Sequence, residues 1–294
     1  MENLFSYGLL TLSTVMFGFM FFFKDIFRSN YGSGFKATLV MSLGGGIFGL
    51  ISLLIIKGFV FEFSVFALIM AIISGLNGLA FSFCSLKALG KINLSLYSLF
   101  SMLGGMALPF LSGILFHGEP ITVNKVLCFI IITIALFITV EKGDNKNGYI
   151  YYLGIFFFNG MAGVLSKVYQ ALPFNKISSA GYSILKAVIL IVIVAVLLVF
   201  VKGEKKPINF KCIIAMAGSG ILGNIANWLL LVALLNLPAS AQYPFVTGGT
   251  MIVSTVISLL SAKKPSPKEI LAVIISFFGI ILLIALPEIE ILKI

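Results

Sequence analysis

The residues best suited to recognise a ligand are two asparagines and a tryptophan in the eighth of the chain's apolar runs. Asn224, Asn227 and Trp228 are spaced i, i+3 and i+4, which places them on one face of a helix. Amides donate and accept hydrogen bonds, and an indole offers a stacking surface, so this set suits a small polar molecule. The asparagines also fit a second role, because Asn commonly bonds across membrane helices.

Further polar residues lie within other apolar runs. Gln242 and Tyr243 open the ninth run just before Pro244, and a proline inside a helix frees a backbone carbonyl. Tyr97 stands at the matching end of the fourth run, where a tyrosine also fits the aromatic belt at a membrane surface. The candidate binding residues are Asn77, Tyr97, Asn159, Asn224, Asn227, Trp228, Gln242 and Tyr243.

The ten acidic residues all lie at the ends of the apolar runs or between them. A carrier that exchanges protons for cations usually keeps a carboxylate inside the membrane. The sequence therefore argues against that mechanism and favours a neutral, zwitterionic or anionic substrate. We expect Glu119 to cap a helix end or to pair with a lysine.

Metal and covalent chemistry have little support in the sequence. Cys84, Cys128 and Cys212 are far apart, no C-x-x-C occurs, and His117 is the only histidine. Membrane-embedded enzymes that act on lipids need metal-binding acids or His/Asp clusters. We therefore expect no metal, no cofactor and no enzymatic activity.

The composition shows what kind of structure must position these residues. Of the 294 residues, 60% are hydrophobic and 10% are charged, against about 45–50% and about 25% in soluble domains. A membrane helix needs about 20 apolar residues, and the chain has ten such runs with the charges clustered between them. The predicted spans are 5–23, 37–56, 64–86, 92–116, 123–140, 149–170, 180–201, 211–235, 239–261 and 268–287.

A weak internal repeat divides these spans into five plus five. An offset of 145 residues places Lys57 on Lys202 and Glu119 on Lys264, and it also superimposes several glycines. Because five is odd, the second half enters the membrane in the opposite orientation, as in many secondary transporters. We predict an all-α membrane protein of ten transmembrane helices in two inverted five-helix repeats, 1–145 and 146–294.

The turn Gly118-Glu119-Pro120-Ile121-Thr122 and the terminal span with Phe278-Gly279-Ile280 resemble the EamA-type branch of the drug/metabolite transporter superfamily. In the second half, Lys263-Lys264-Pro265-Ser266 replaces the Gly-Glu turn. The resemblance places the family's basic residues on Lys24, Lys167 and Lys186, with Met41 instead of a basic residue in the second span. It implies a cavity lined by spans one, three, four, six, eight and nine.

The net charge of +10 indicates how the protein is oriented in the membrane and does not indicate nucleic-acid binding, because the basic residues lie between the spans. The connections after the odd-numbered spans carry most of them, so the positive-inside rule places both termini outside the cytoplasm. The resembled family is expected to keep both termini inside. The charge count and the resemblance therefore predict opposite orientations.

A carrier is the function that these features favour. We expect a secondary transporter in the bacterial cytoplasmic membrane that moves a small polar metabolite, such as an amino acid, nucleoside or sugar derivative, by alternating access. Its partners would be this substrate and the lipid bilayer, and we expect no nucleic-acid partner. A homodimer is one possible oligomeric state. The alternatives are a non-transporting scaffold or a channel and, with less support, a membrane-embedded enzyme.

Overall fold

The structure is a computed structural model that describes residues 2–32, 34–89, 94–138, 149–174, 176–201, 207–259 and 265–292. The predicted boundary between residues 145 and 146 lies outside this range. Within it the chain is almost entirely helical, which confirms the prediction of an all-α fold.

Ten helices in the described part of the chain follow the order of the ten predicted runs. They are α1 (Glu2–Tyr31), α2 (Phe35–Lys57), α3 (Val65–Leu89), α4 (Leu94–His117), α5 (Val123–Ile138), α6 (Tyr149–Ala171), α7 (Ser179–Phe200), α8 (Phe210–Ala233), α9 (Ala239–Leu259) and α10 (Pro267–Ala285).

Helix α1 differs most from the predicted span, because it continues eight residues past residue 23. The extension holds Phe27 and Tyr31, whose rings stack at 5.1 Å and pack against Cys212 and Ala215 of α8. Burial of these rings explains why the helix continues beyond the end of the apolar run.

Polar residues fix the starts of three later helices. Ser178 and Asn209 accept the backbone N–H groups of Gly181 and Cys212 at the beginnings of α7 and α8. Ser266 and Glu269 form a reciprocal capping box at the start of α10. Such caps satisfy N–H groups that have no partner within the helix.

Six helices in the described part of the chain are long and apolar enough to cross a membrane, as expected of an integral membrane protein. They are α1, α2, α4, α7, α8 and α10. Large apolar side chains such as Ile55, Val199 and Phe278 are exposed. Exposed apolar surface on this scale fits contact with lipid.

The two predicted halves are interleaved. Helix α1 packs on α8 and α9, α2 on α7 and α8, α3 on α6 and α7, α4 on α6 and α9, and α5 on α10. Most contacts therefore join a helix from one half to a helix from the other. The halves share one packed body and are not two separate bundles.

The described connections after α2, α4, α6 and α8 gather on one face together with both ends of the chain, which we call the terminal face. Ser178 of one connection meets Lys57 and Glu62 of another. Asn236 donates to Ser6 near the amino end. A short antiparallel pair joins β1 (Ile121–Thr122) to β2 (Glu290–Leu292) near the carboxyl end.

Glycines set the closest helix crossings. A Cβ added to Gly220 of α8 would lie 2.0 Å from the carbonyl oxygen of Gly45 in α2. A Cβ on Gly104 of α4 would lie 2.1 Å from the carbonyl oxygen of Phe156 in α6. Only a residue without a side chain lets these backbones approach so closely.

Candidate functional site

A cavity of about 310 Å³ lies between α1, α2, α3, α7 and α8. This volume is within the range of small-molecule sites. It is framed by the small residues of the α2–α8 crossing, including Gly45 and Gly220. The uncharged polar side chains that line it are Ser42, Ser74, Ser183, Ser219, Asn224 and Asn227.

Two lysines line the same cavity. Lys186 comes from α7 and is half-buried, and Lys24 comes from α1 and is exposed. The Lys186 ammonium lies 5.4 Å from the centre of the Tyr182 ring, and that of Lys24 lies 5.6 Å from the Phe21 ring. The cavity therefore holds two cationic and six uncharged polar side chains beside apolar ones such as Met20 and Leu190.

The two asparagines that line the cavity both bond to their own helix. The Asn224 Nδ2 donates to the carbonyl of Gly220 at 2.9 Å, and the Asn227 Nδ2 donates to that of Gly223 at 2.7 Å. Each amide keeps a second N–H and its oxygen available for a ligand.

A layer of stacked aromatic rings lies beside the cavity, at the terminal-face ends of α6 and α7. Tyr182 stacks on Tyr169 with ring centres 3.7 Å apart, and its hydroxyl lies 3.1 Å from the Ser74 Oγ. The Tyr169 hydroxyl donates to the carbonyl of Ile177 at 2.9 Å. Tyr182 and Tyr169 lie within one turn of the terminal-face ends of α7 and α6. Tyr182 contacts the cavity-lining residues Ser74 and Lys186.

An ion-pair cluster covers this layer on the terminal face. Lys57 pairs with Glu62, and its ammonium donates to the Ser178 Oγ at 2.9 Å. The Glu62 carboxylate also accepts the backbone N–H of Ser178 at 2.6 Å. The hydrogen bonds from Lys57 and Ser178 hold the pKa of Glu62 below its ordinary value. The cluster ties the α2–α3 connection to the start of α7.

Glu119 forms a second, more deeply buried cluster at the same face. Its carboxylate pairs with the Lys167 ammonium at 2.7 Å and accepts the backbone N–H groups of Ala239 and Ser240, at 2.8 and 2.9 Å. It thus caps the start of α9 and pairs with a lysine of α6. Burial raises the pKa of Glu119, but the ion pair with Lys167 and the bonds from Ser240 outweigh it, so the pKa lies below its ordinary value.

Of the candidate binding residues whose side chains the structure describes, Asn224 and Asn227 line the cavity. Trp228 is half-buried beside them and is not among the residues that line the cavity. The Tyr97 side chain and Lys264 lie outside the described residues.

The remaining candidates bond to the backbone of neighbouring helices. Asn77 donates to the carbonyl of Phe158 at 2.8 Å, and Asn159 donates to that of Ser101 at 2.6 Å. Gln242 donates to the carbonyl of Leu230 at 2.9 Å, and the Tyr243 hydroxyl donates to that of Gly163 at 3.0 Å. These four side chains hold helices together.

Four serines and Lys186 line the cavity but were not among the predicted binding residues. Lys186 is a cation inside an apolar run of otherwise uncharged residues, and such a residue is a signal of function. The cavity also draws on α2 and α7, whereas the expected lining came from spans one, three, four, six, eight and nine.

Among the residues that the structure describes, no three His, Cys, Asp or Glu side chains lie together as a metal site would require. Cys128 and Cys212 are buried, Cys84 is half-buried, and all three are free thiols.

Solved structures share this fold. One of them, described as "Crystal structure of protein", matches with a TM-score of 0.75 and 15% identity, over 94% of this chain and 95% of its own. At this identity the likeness establishes the fold alone. No protein-family model and no curated protein sequence matches the chain.

Proposed function

We propose that this protein is a secondary transporter that moves a small polar metabolite across the bacterial cytoplasmic membrane by alternating access. The cavity carries this proposal. It presents polar and cationic side chains among apolar helices, and the Tyr182–Tyr169 layer and the Glu62 cluster lie on its terminal-face side. Alternating access requires a state in which contacts on one face close the site, and these two groups of contacts would serve that purpose.

The pattern of helix packing supports ten spans in two inverted repeats. When each helix of the first half is exchanged for its counterpart five helices later, the contact of α1 with α8 becomes that of α6 with α3. In the same way, the contact of α4 with α6 becomes that of α9 with α1. A two-fold axis between the halves would produce this relation.

The gathering of connections on the terminal face also supports ten spans. If each of the ten helices crosses the membrane once, every second connection returns to the face that holds both ends of the chain. The contacts of Ser178, Asn236 and Glu119 join these connections to one another and to α1 and α9. On these grounds we extend the EamA-type resemblance to the whole chain and propose a carrier rather than an enzyme.

A binding and transport scan tests the proposal. Purified protein is heated with amino acids, nucleosides and sugar phosphates, and compounds that raise its melting temperature are then tested for counterflow in proteoliposomes. We expect one compound class to stabilise the protein and to be transported. Asn227→Ala should weaken both effects, whereas Asn77→Ala, which alters a contact outside the cavity, should leave the affinity unchanged. Stabilisation by no compound, together with no counterflow, would favour a scaffold.

A further inference from the structure

We infer that the cavity binds its substrate through an anionic group, a carboxylate or a phosphate, held between Lys24 and Lys186. The inference rests on the proposed function, since it takes the cavity to be the substrate site. It narrows the substrate from small polar molecules in general to those with an acidic group.

The position of Lys186 is the first argument. Lys186 lies seven residues after the start of the 22-residue helix α7, which puts its Cα about 5 Å from the middle of the helix at 1.5 Å per residue. A charge at this depth of an apolar helix is costly and is normally retained for a ligand or an ion pathway.

The lack of a counter-ion is the second argument. Lys57 and Lys167 each pair with a carboxylate on the terminal face. Neither Lys24 nor Lys186 has a carboxylate within ion-pair distance among the side chains that the structure describes. The Lys186 ammonium lies over the Tyr182 ring, 5.4 Å from its centre. Two cations in one cavity repel each other, and an anion between them would remove this repulsion.

The remaining lining supplies hydrogen-bond donors. The hydroxyl of Ser42 and the second N–H groups of Asn224 and Asn227 belong to the same cavity. The hydroxyls of Ser183 and Ser219 donate to the carbonyls of Ser179 and Met216, which leaves their oxygens as acceptors. Oxygen atoms of a carboxylate or phosphate accept such bonds, and bonds that involve a charged group are the stronger ones. A neutral solute would use these donors but would leave both ammonium groups unmatched.

The internal repeat suggests a substitution that removes the charge of Lys186 with little other change. The 145-residue offset places Met41 on Lys186, and both residues line the cavity. Lys186→Met therefore gives the second half the residue that the first half already carries. It removes the charge and keeps an unbranched side chain.

The test measures melting temperatures of the purified protein in a phosphate-free maltoside detergent at constant ionic strength. Inorganic phosphate and succinate are the soluble probes, sodium chloride is the ionic control, and alanine amide and glycerol are the uncharged or cationic controls. We expect phosphate or succinate to stabilise the wild type with saturation. The apparent Kd should rise at least tenfold in Lys186→Met and in Lys24→Gln, and it should be unchanged in Lys211→Gln, an exposed lysine at the start of α8.

A second readout separates binding from folding. Because Lys186→Met removes an unmatched, half-buried charge, the ligand-free variant should melt at or above the temperature of the wild type. Loss of anion stabilisation together with an unchanged or raised melting temperature supports the inference. Retention of wild-type affinity in both lysine variants would overturn it.

Two further experiments ask whether the anion is a lipid headgroup or a soluble molecule, and whether the substrate is charged at all. Titration with phosphatidylglycerol in place of phosphate tests whether the anion comes from a lipid headgroup, and stabilisation that depends on both lysines supports the site with that source. Saturable stabilisation and counterflow of an uncharged solute, without any effect of phosphate or succinate, would overturn the inference and leave the transporter standing. Stabilisation by no probe and no counterflow would overturn both.

Discussion

At the residue scale, two carboxylates on the terminal face make the same kind of ion pair at different depths. The Glu119 and Lys167 side chains are 7% and 13% exposed, whereas those of Glu62 and Lys57 are 27% and 20% exposed. A carboxylate removed from a buried pair leaves an uncompensated charge, and removal from a more exposed pair leaves a charge that water can solvate.

Glu119→Gln should therefore destabilise the protein strongly. We expect a loss of about 3 kcal/mol, at the low end for a broken buried pair because the single Gln oxygen can still accept one of the two N–H groups at the start of α9. The matched variant Glu62→Gln should cost less than about 1 kcal/mol. Melting temperatures in detergent compare the two variants, and equal losses would contradict this ranking.

Acid should weaken the same cluster. The pKa of Glu119 is lowered in the folded protein, so its contribution is complete above the pKa of the unfolded chain, about 4.3. It is lost as the pH falls through the lower folded value. Between pH 6 and pH values below about 4, the melting temperature of the wild type should approach that of Glu119→Gln. A constant difference between the two proteins would contradict the assigned role of the charge.

At the scale of elements, the glycine crossings decide how closely the helices pack. Gly45 and Gly220 join α2 to α8 beside the cavity, and Gly104 joins α4 to α6. The atoms that a new Cβ would meet at Gly220 belong to the backbone of Gly45, which cannot move as a flexible side chain can.

Gly220→Ala should force α2 and α8 apart and lower the melting temperature, with a cost of about 1–3 kcal/mol that is typical of overpacking. It should also weaken substrate binding, because the crossing frames the cavity. The control is Gly8→Ala, at an exposed position in α1 where nothing lies within 4 Å of an added Cβ. That change should be neutral or stabilising, since Ala is the better helix former. A stable Gly220→Ala protein with normal binding would contradict the close crossing.

At the scale of the whole molecule, the clusters of Glu62 and Glu119 close the terminal face. If the protein works by the proposed alternating access, this face must open in turn, and both sets of contacts must then break. Because helices of the two halves are interleaved, opening requires helices to slide and tilt within one body rather than two separate bundles to rock apart.

A covalent link across the terminal face should stop transport. In a background that lacks Cys84, Cys128 and Cys212, the pair Glu62→Cys and Ser178→Cys is joined by a short bifunctional maleimide. The two positions are in contact, since the Ser178 N–H donates to Glu62 at 2.6 Å. Counterflow in proteoliposomes should fall to background in the cross-linked double variant and persist in each treated single variant. Undiminished counterflow after complete cross-linking would show that this face need not open.

The sequence by itself determined the ten apolar helices, their order and most of their ends. These features follow from local properties: the length of an apolar run, the charges that bound it, and the capping residues. The one large difference, the extension of α1 to Tyr31, arose because Phe27 and Tyr31 pack on a helix that is distant in the chain.

Only the tertiary structure decided which polar residues share the cavity. A side chain inside an apolar helix faces a neighbour, lipid or a cavity according to the rotation of the helix, and packing against other helices sets that rotation. For this reason Asn77, Asn159, Gln242 and Tyr243 became contacts between helices. Lys24 and Lys186, which are far apart in the chain, meet in one cavity because interleaved packing brings α1 and α7 around α2 and α8.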